Sequence, residues 1–215
     1  MKKFIFILSV AFLATVLFNA CEPKDPSGND EYTPTPQEIG VEINGVVWAP
    51  YNVGKTGKFV NKPEDYGGLY QWNRKDSANF LFRDAYYYES GFSSADSWLS
   101  ANDPSPKGWR VPTMNEIATL LDTDKVKSEW IETENGVFGR EFMDITTNKS
   151  IFLPAAGYRS ENGGVLYSVG THGNYWSSNE KHFSHAYYLL FDSEYVRLDF
   201  TGGMAMGNSI RPVAK

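Results

Sequence analysis

Cysteine occurs once in the 215 residues of this chain, at position 21. No intramolecular disulfide can therefore stabilise a domain after that position, so its stability must come from a buried apolar core. Aromatic residues, which bring the largest apolar surfaces to such a core, make up 15% of the chain. Residues 39–215 are long enough to form one domain of this kind.

Residues 1–20 have the pattern of an export signal. Two lysines precede an apolar run at 4–18 that is too short to span a bilayer as a permanent helix. The run leads to an Asn-Ala-Cys sequence that resembles a bacterial lipobox, although Asn19 stands where a small or hydroxyl residue is usual. We therefore predict a lipoprotein signal peptide at 1–20 and a lipid anchor on Cys21, which several acyl chains would make stable. An ordinary secretory signal with an incidental cysteine is the alternative.

The next stretch, residues 21–38, is predicted to be an extended tether. It is rich in proline, glycine and charge and has little to bury, which is typical of disordered linkers. The acidic residues after the cysteine resemble the tethers of surface-exported lipoproteins. We therefore expect an outer-membrane lipoprotein whose domain, residues 39–215, lies on the cell surface. The sequence leaves a periplasmic orientation open.

The charge of the chain limits its partners. It carries 20 Lys and Arg against 26 Asp and Glu, a net charge of −6, and has no basic cluster. Nucleic acids and anionic membrane surfaces attract positive patches, so neither is expected as a partner. Contact with the membrane is expected through the lipid anchor only.

One helix is predicted just after the proline-rich stretch 102–112. Thr113 and Glu116 have the spacing of a capping box, and the apolar residues that follow repeat at helical spacing. The preceding proline favours an extended approach, which sharpens the start of the helix. The helix is therefore expected to run to about residue 122, and 125–130 is an option for a second short helix.

Short antiparallel strands account for most of the remaining pattern. Residues 41–54 indicate a hairpin around Asn44-Gly45, since this dipeptide is the strongest short hairpin signal. The last third of the chain contains further apolar strands, with a turn at 162–164. Residues 73–101 show no sustained period and are predicted to form a long ordered loop. The expected class is α+β, with short strands, one or two short helices and long loops.

Motifs for catalysis or metal binding are weak. Residues 49–56 end in Gly-Lys-Thr like a phosphate-binding loop, but they lack its leading glycine and its helix. His172, His182 and His185 have no cysteine to complete a zinc site, and a strand places residues i and i+3 on opposite faces. We therefore expect no metal, no cofactor and no enzymatic activity. A carboxylate pair for glycoside hydrolysis stays open, because the sequence does not reveal the separation of side chains.

The aromatic residues fall into two groups. Tryptophans in apolar, strand-like contexts are predicted to lie in the core, namely Trp48, Trp72, Trp109 and Trp176. Others, among them Trp130, lie in polar, loop-like contexts, where aromatic faces suit sugar rings or a protein partner. The candidate ligand-binding residues, on a face formed by loops 73–101 and 158–182, are Trp98, Tyr86, Tyr87, Tyr88 and Tyr158. Packing beneath a long loop is the alternative for this group.

Several sequence blocks occur in a characteristic order: "GVVWAPYNVG", "GGLYQW", "DPSPKGWRVPT", "GNYWSSN" and a closing "SIRPVAK". In this the chain resembles the FISUMP family, the Fibrobacter succinogenes major paralogous domain, over residues 43–213. The "GWRVPT" and "YWSS" blocks carry most of the likeness. The resemblance implies an exported bacterial lipoprotein with a C-type-lectin-like α+β domain, related in fold to formylglycine-generating enzymes.

The resemblance also implies a structural role for the proline-rich stretch. Where the family usually has Asp-Pro-Cys-Pro and Val-Arg-Cys-Val, this chain has Ser105 and Pro212. The joint absence of both cysteines implies that relatives join them in a disulfide, so these two positions are expected to be neighbours in space. Trp109, Thr113 and Trp176 are expected to be structural too, as core residues and a helix cap.

The function predicted from these features is that of a non-catalytic binding module for a glycan or a protein partner, without calcium. The Glu-Pro-Asn and Gln-Pro-Asp triplets of calcium-dependent C-type lectins do not occur in the domain. Related oxidases that use copper need paired cysteines, which the domain lacks. A structural component of a surface complex, without a small ligand, is the alternative. Asp76-Ser77-Ala78 also resembles an O-glycosylation motif, which leaves modification of Ser77 open.

Overall fold

The computed structural model describes residues 35–76, 97–182 and 184–215. Within these ranges, helix is limited to α1 and α2 and to two 3-10 turns: Pro36–Ile39, Met114–Ala118, Ser100–Asn102 and Thr119–Leu121. No helix in this part of the chain is long and apolar enough to cross a membrane. Helix α1 occupies the end of the stretch that the sequence assigns to the tether.

Strands make up most of the regular structure. In chain order they are β1 (Val41–Ile43), β2 (Val46–Trp48), β3 (Tyr70–Gln71), β4 (Trp109–Arg110), β5 (Val126–Glu132), β6 (Phe138–Asp144), β7 (Ser150–Pro154), β8 (Tyr158–Arg159), β9 (Leu166–Tyr167), β10 (Gly173–His182), β11 (His185–Phe191), β12 (Val196–Gly203), β13 (Gly207–Asn208) and β14 (Val213–Ala214). Neighbouring strands within the sheets pair antiparallel.

These strands form four small sheets in the described part of the chain. In the first, of order β1-β2-β14-β4, the C-terminal strand pairs with the N-terminal hairpin. The others have the orders β3-β13-β8-β9, β5-β6-β7 and β10-β11-β12. The first and last strands of each order are edges, so β9 has a sheet neighbour on one side, β8.

The expected α+β class is wrong, and with it the C-type-lectin-like arrangement that the resemblance implied. Strand accounts for 42% and helix for 9% of the described structure, which is a β-rich fold. The second helix at 125–130 is also wrong, because this segment is strand β5, paired with β6 from Val126↔Asp144 to Glu132↔Phe138. A short apolar run fits both the helical and the strand periodicity, and here the pairing with β6 makes the segment a strand.

Two local predictions are confirmed. The hairpin β1–β2 turns at Asn44 and Gly45, which have φ angles of 45° and 78°, as a type I′ turn requires. Helix α2 begins at a capping box in which the Glu116 N–H donates to the Thr113 hydroxyl at 3.2 Å and the Thr113 N–H donates to Glu116 at 2.8 Å. Both elements are set by neighbours in sequence, which explains why the sequence reveals them.

The core lies on both faces of the β10–β11–β12 sheet. Successive side chains of a strand point to opposite faces, and β11 is buried on both. Leu189 and Phe191 join one apolar cluster, whereas Tyr188 and Leu190 join the other. The four tryptophans predicted to be core are confirmed, since Trp48, Trp72, Trp109 and Trp176 are all at most 2% exposed.

A charged side chain, Arg211, lies at the centre of the fold and is 1% exposed. Its guanidinium donates hydrogen bonds to the carbonyls of Ala49 (3.2 Å), Pro50 (2.8 Å) and Phe152 (2.8 Å), and to Asn52 Oδ1 at 2.9 Å. Burial lowers the pKa of Arg211 to about 10. These contacts join segments far apart in sequence, so Arg211 stabilises the closure of the fold.

The amide of Asn52 extends this centre to a buried tyrosine. Asn52 Nδ2 donates to the Tyr175 hydroxyl at 3.1 Å and to the Tyr66 carbonyl at 3.0 Å, and the Tyr175 hydroxyl donates to the Pro154 carbonyl at 2.8 Å. Burial raises the pKa of Tyr175 to about 12, in spite of the nearby Arg211. The chain of bonds leaves this polar centre largely satisfied, which is the condition for burying it.

Candidate functional site

Several of the predicted site residues lie outside the described residues. These are the lipidation site Cys21, the candidate ligand-binding residues Tyr86, Tyr87 and Tyr88, and the candidate modification site Ser77. The same holds for most of the loop predicted at 73–101. The site is therefore built from the residues that the structure places.

Trp98 lies inside the fold and not on a binding face. It is 8% exposed, packs against Trp72 at a ring distance of 5.6 Å, and donates its indole N–H to the Asn102 carbonyl at 3.0 Å. This packing is the alternative that the sequence offered for Trp98; the Trp72 ring comes from a distant segment, and Asn102 is four residues away. Trp130, in strand β5, is half-buried. Its ring stacks on that of Phe138 with a centroid distance of 6.1 Å.

The residues predicted to be structural lie around the proline-rich stretch. The Asp103 carboxylate accepts hydrogen bonds from the N–H groups of Ser105 (2.8 Å) and Val111 (3.0 Å). Val213 pairs with Arg110, so continuing this antiparallel ladder by one residue places Pro212 beside Val111. Ser105 and Pro212 thus both lie close to the backbone that Asp103 holds. The Ser105 hydroxyl is buried without a hydrogen-bond partner among the described residues.

Tyr158 is the predicted ligand-binding residue that the structure places at the surface. It lies half-buried on strand β8, where it is the register partner of Tyr167 on β9. The two rings stack at 5.7 Å with an interplanar angle of 29°. On the other face of this pair of strands, Arg159 lies opposite Leu166 and donates to the Gly164 carbonyl at 2.8 Å.

The base of this β8–β9 hairpin is fixed to the rest of the domain. The Gly157 N–H donates to the His172 carbonyl at 2.9 Å, and the Gly170 N–H donates to the Ala155 carbonyl at 2.8 Å. Gly157, with φ 67°, lies so close to the Tyr167 carbonyl that a Cβ atom would collide with it. The hairpin is therefore attached to the domain through backbone hydrogen bonds at its base.

The segment from residue 164 to 170, here called the exposed segment, carries the largest group of exposed apolar side chains among the described residues. Both residues of β9 are exposed, and four members of the segment expose between 41% and 51% of their surface: Val165, Leu166, Tyr167 and Val169. A solvated strand normally alternates apolar with polar residues. Adjacent exposed apolar patches of this kind mark contact surfaces.

The sequence did contain a signal for this surface. The run "NGGVLYSVGT" at 162–171 has no charged residue, although one residue in five of the chain is charged. The sequence predicts part of this run as a strand and places it within the loop 158–182 of the predicted binding face, without singling out its apolar residues. The run is exposed because β9 lies at a sheet edge, and the residue pattern of a single strand does not reveal its position in a sheet.

The histidines that the sequence considered as metal ligands do not form a metal site among the described residues. The described residues contain no group of three or more His, Cys, Asp and Glu side chains placed to hold a metal ion. His182 and His185 pair across the β10–β11 turn with ring centres 6.3 Å apart. His172 Nε2 lies 3.9 Å from Asp192 Oδ2, beyond hydrogen-bond distance, and its Nδ1 lies 3.0 Å from the Thr171 hydroxyl.

Comparison with family models, with curated proteins and with solved structures finds no match for this chain. The chemistry and geometry of the exposed segment therefore carry the functional argument.

Proposed function

We propose that the protein is a non-catalytic, outer-membrane lipoprotein of the FISUMP type, anchored through Cys21, and that its exposed segment binds a protein partner without calcium. The observation that carries this proposal is the exposure of Val165, Leu166 and Tyr167 on an edge strand that is firmly attached at its base. Interfaces bury apolar and aromatic side chains at their centre and are depleted of charge there. The exposed segment has this composition.

A protein fits this surface better than a sugar does. Aliphatic side chains such as Val165, Leu166 and Val169 offer no hydrogen bonds to hydroxyl groups, whereas they pack well against apolar side chains of a partner. The exposed segment also lies along a sheet edge, whereas small ligands prefer concave pockets. Both points support the proposal of a protein partner and are consistent with an assembly component of a surface complex.

Glycan binding is the second candidate, favoured by the Tyr158–Tyr167 pair. Tyr167 is 47% exposed and is held by its stacked neighbour, which makes it a preorganised aromatic surface. A sugar ring would contact that surface without calcium. A glycan array with calcium and with chelator tests this candidate: binding that survives chelation and is lost in Tyr167→Ala supports it, and an array without signal removes it.

Site-specific photo-crosslinking in intact cells tests the main proposal. A photoreactive residue is placed at Leu166 in the full lipoprotein, and the crosslinked protein is identified by mass. The matched control is the same residue at Ile145, which is 48% exposed against 45% for Leu166 but lies in the β6–β7 turn. A defined adduct from position 166 that is absent at 145, and that disappears in a Tyr167→Lys background, supports the proposal. Equal or absent crosslinking at the two positions would contradict it.

A further inference from the structure

We propose that the partner of the exposed segment is a second copy of this chain, paired through β9. Two antiparallel β9 strands would meet across a two-fold axis and join two sheets of order β3-β13-β8-β9 into one continuous sheet. This inference rests on the proposed function, since it names the partner of the same surface. It is carried by the charge of the strand, the direction of its backbone groups and a contrast with other edges.

Edge strands β5 and β12 carry exposed charges that discourage pairing, and the uncharged edge strands β3 and β7 are mostly buried, whereas β9 is uncharged and exposed. On β5, Lys127 and Glu129 form an exposed ion pair at 2.6 Å. On β12, Arg197 and Asp199 form another at 2.7 Å. Exposed charges of this kind protect edges from adding a strand, because pairing would bury them. β9 exposes Leu166 and Tyr167 instead.

The backbone of β9 has bonding groups directed away from its sheet. The Ser160 N–H donates to the Val165 carbonyl at 2.9 Å, which makes these two residues a hydrogen-bonded pair of the hairpin. Hydrogen-bonded and non-bonded pairs alternate along an antiparallel ladder. The Leu166 N–H and carbonyl therefore point away from β8. In a two-fold pair centred on Leu166, each copy donates this N–H to the carbonyl of the other.

Charge limits the places where two copies of the chain can approach each other. The chain has a net charge of −6, so two copies repel each other over most of their surfaces. Residues 162–171 are uncharged, and this segment lets two like copies approach without that repulsion. The contact area of one short strand is small, so the association should be weak and concentration-dependent. Lipid anchors on a shared membrane would raise the local concentration and favour it.

Sedimentation velocity on the mature chain, starting at residue 21 with Cys21→Ser so that no lipid is attached, tests the inference. From micromolar to millimolar concentration, the wild type should shift from monomer to dimer. Leu166→Pro removes the outward N–H without adding charge, and proline is tolerated at strand edges, so it should weaken association at least about tenfold. Leu166→Ile keeps the N–H and the apolar side chain and should associate like the wild type.

Amide hydrogen exchange of the wild type avoids any question of variant folding. Exchange at the Leu166 N–H should slow as concentration rises, whereas exchange at the Ile145 N–H, which donates to the Lys125 carbonyl, should not change. A chain that stays monomeric at millimolar concentration, or a dimer that Leu166→Pro leaves intact, overturns the inference. If position 166 then still crosslinks to a different protein in cells, the proposed function stands while the second copy is excluded.

Discussion

The centre around Arg211 buries a charged side chain, whereas the exposed segment at 164–170 presents apolar side chains to solvent, and both placements are unusual. Arg211 is a cation that is 1% exposed, whereas Leu166 is an aliphatic residue that is 45% exposed. Arg211 directs its donors to three carbonyls and an amide from distant segments. Leu166 belongs to a hairpin whose attachment depends on backbone bonds at its base. The charge inside therefore serves stability, and the apolar surface outside is free to serve contact.

This difference separates two kinds of effect that a substitution can have. A change at the buried centre should alter the free energy of unfolding and leave association of the folded protein unchanged. A change in the exposed segment should do the reverse. Each of the following substitutions or conditions tests one side of this separation.

Arg211→Met should have the largest effect on stability. It leaves the Ala49, Pro50 and Phe152 carbonyls without their donor, and a buried polar group that loses its partner costs about 1–3 kcal/mol. Removal of the buried charge offsets part of this loss, so we expect a net loss of about 4 kcal/mol. Urea unfolding measures it. Arg211→Lys, which keeps the charge but not the planar donor geometry, should recover only part of the loss; a change below about 1 kcal/mol in Arg211→Met would refute the assigned role.

Alkaline pH should destabilise the same centre through Tyr175. Its folded-state pKa is raised by burial to about 12, above the ordinary value of 10.0. The neutral tyrosine therefore contributes stability that is complete below pH 10 and is lost as the pH rises to about 12, by about 3 kcal/mol at most. Unfolding free energies measured across this range should fall less steeply in Tyr175→Phe. Identical pH dependence in the two proteins would contradict the assignment.

The double variant Ser105→Cys with Pro212→Cys should form a disulfide and stabilise the protein. Both positions lie beside the backbone held by Asp103, as argued from the register of β14 with β4. Closing so long a loop stabilises by about 2 kcal/mol once native strain is allowed for. Thermal unfolding with and without reductant measures the gain, and Ser105→Cys alone is the control. Free thiols after oxidation would show that the two positions are not neighbours.

The sequence revealed those parts of the fold that depend on near neighbours. The Asn44-Gly45 turn and the Thr113–Glu116 capping box are complete within a few residues, so both were predictable. Strand β5 was not predictable, because its short apolar run fits both helical and strand periodicity and only the pairing with β6 makes it a strand. The sequence did not decide between a binding face and the interior for Trp98, because the Trp72 ring that packs against it belongs to a distant segment.

The candidate site was predictable only in part. The predicted face included residues 158–182, and Tyr158 was named in it, but its partner Tyr167 and the exposed aliphatic residues were not singled out. An apolar run such as 165–169 predicts a strand whether that strand is buried or lies at an edge. Its place at the end of the order β3-β13-β8-β9 is set by pairings with residues far away in the chain. The lack of charge was the usable signal, since natural edges normally carry some.

Leu166→Lys should have the smallest effect on stability and the clearest effect on association. The Leu166 side chain is 45% exposed and lies on an edge strand, so the unfolding free energy should change by no more than about 0.5 kcal/mol. A lysine at each Leu166 of a two-fold pair would bring like charges together, and this should abolish the dimer. Ile145→Lys, at an equally exposed aliphatic residue, should leave both stability and association unchanged. If Leu166→Lys lowers stability by as much as a core substitution, the hairpin is part of the structural framework, and the separation between the buried centre and the exposed segment fails.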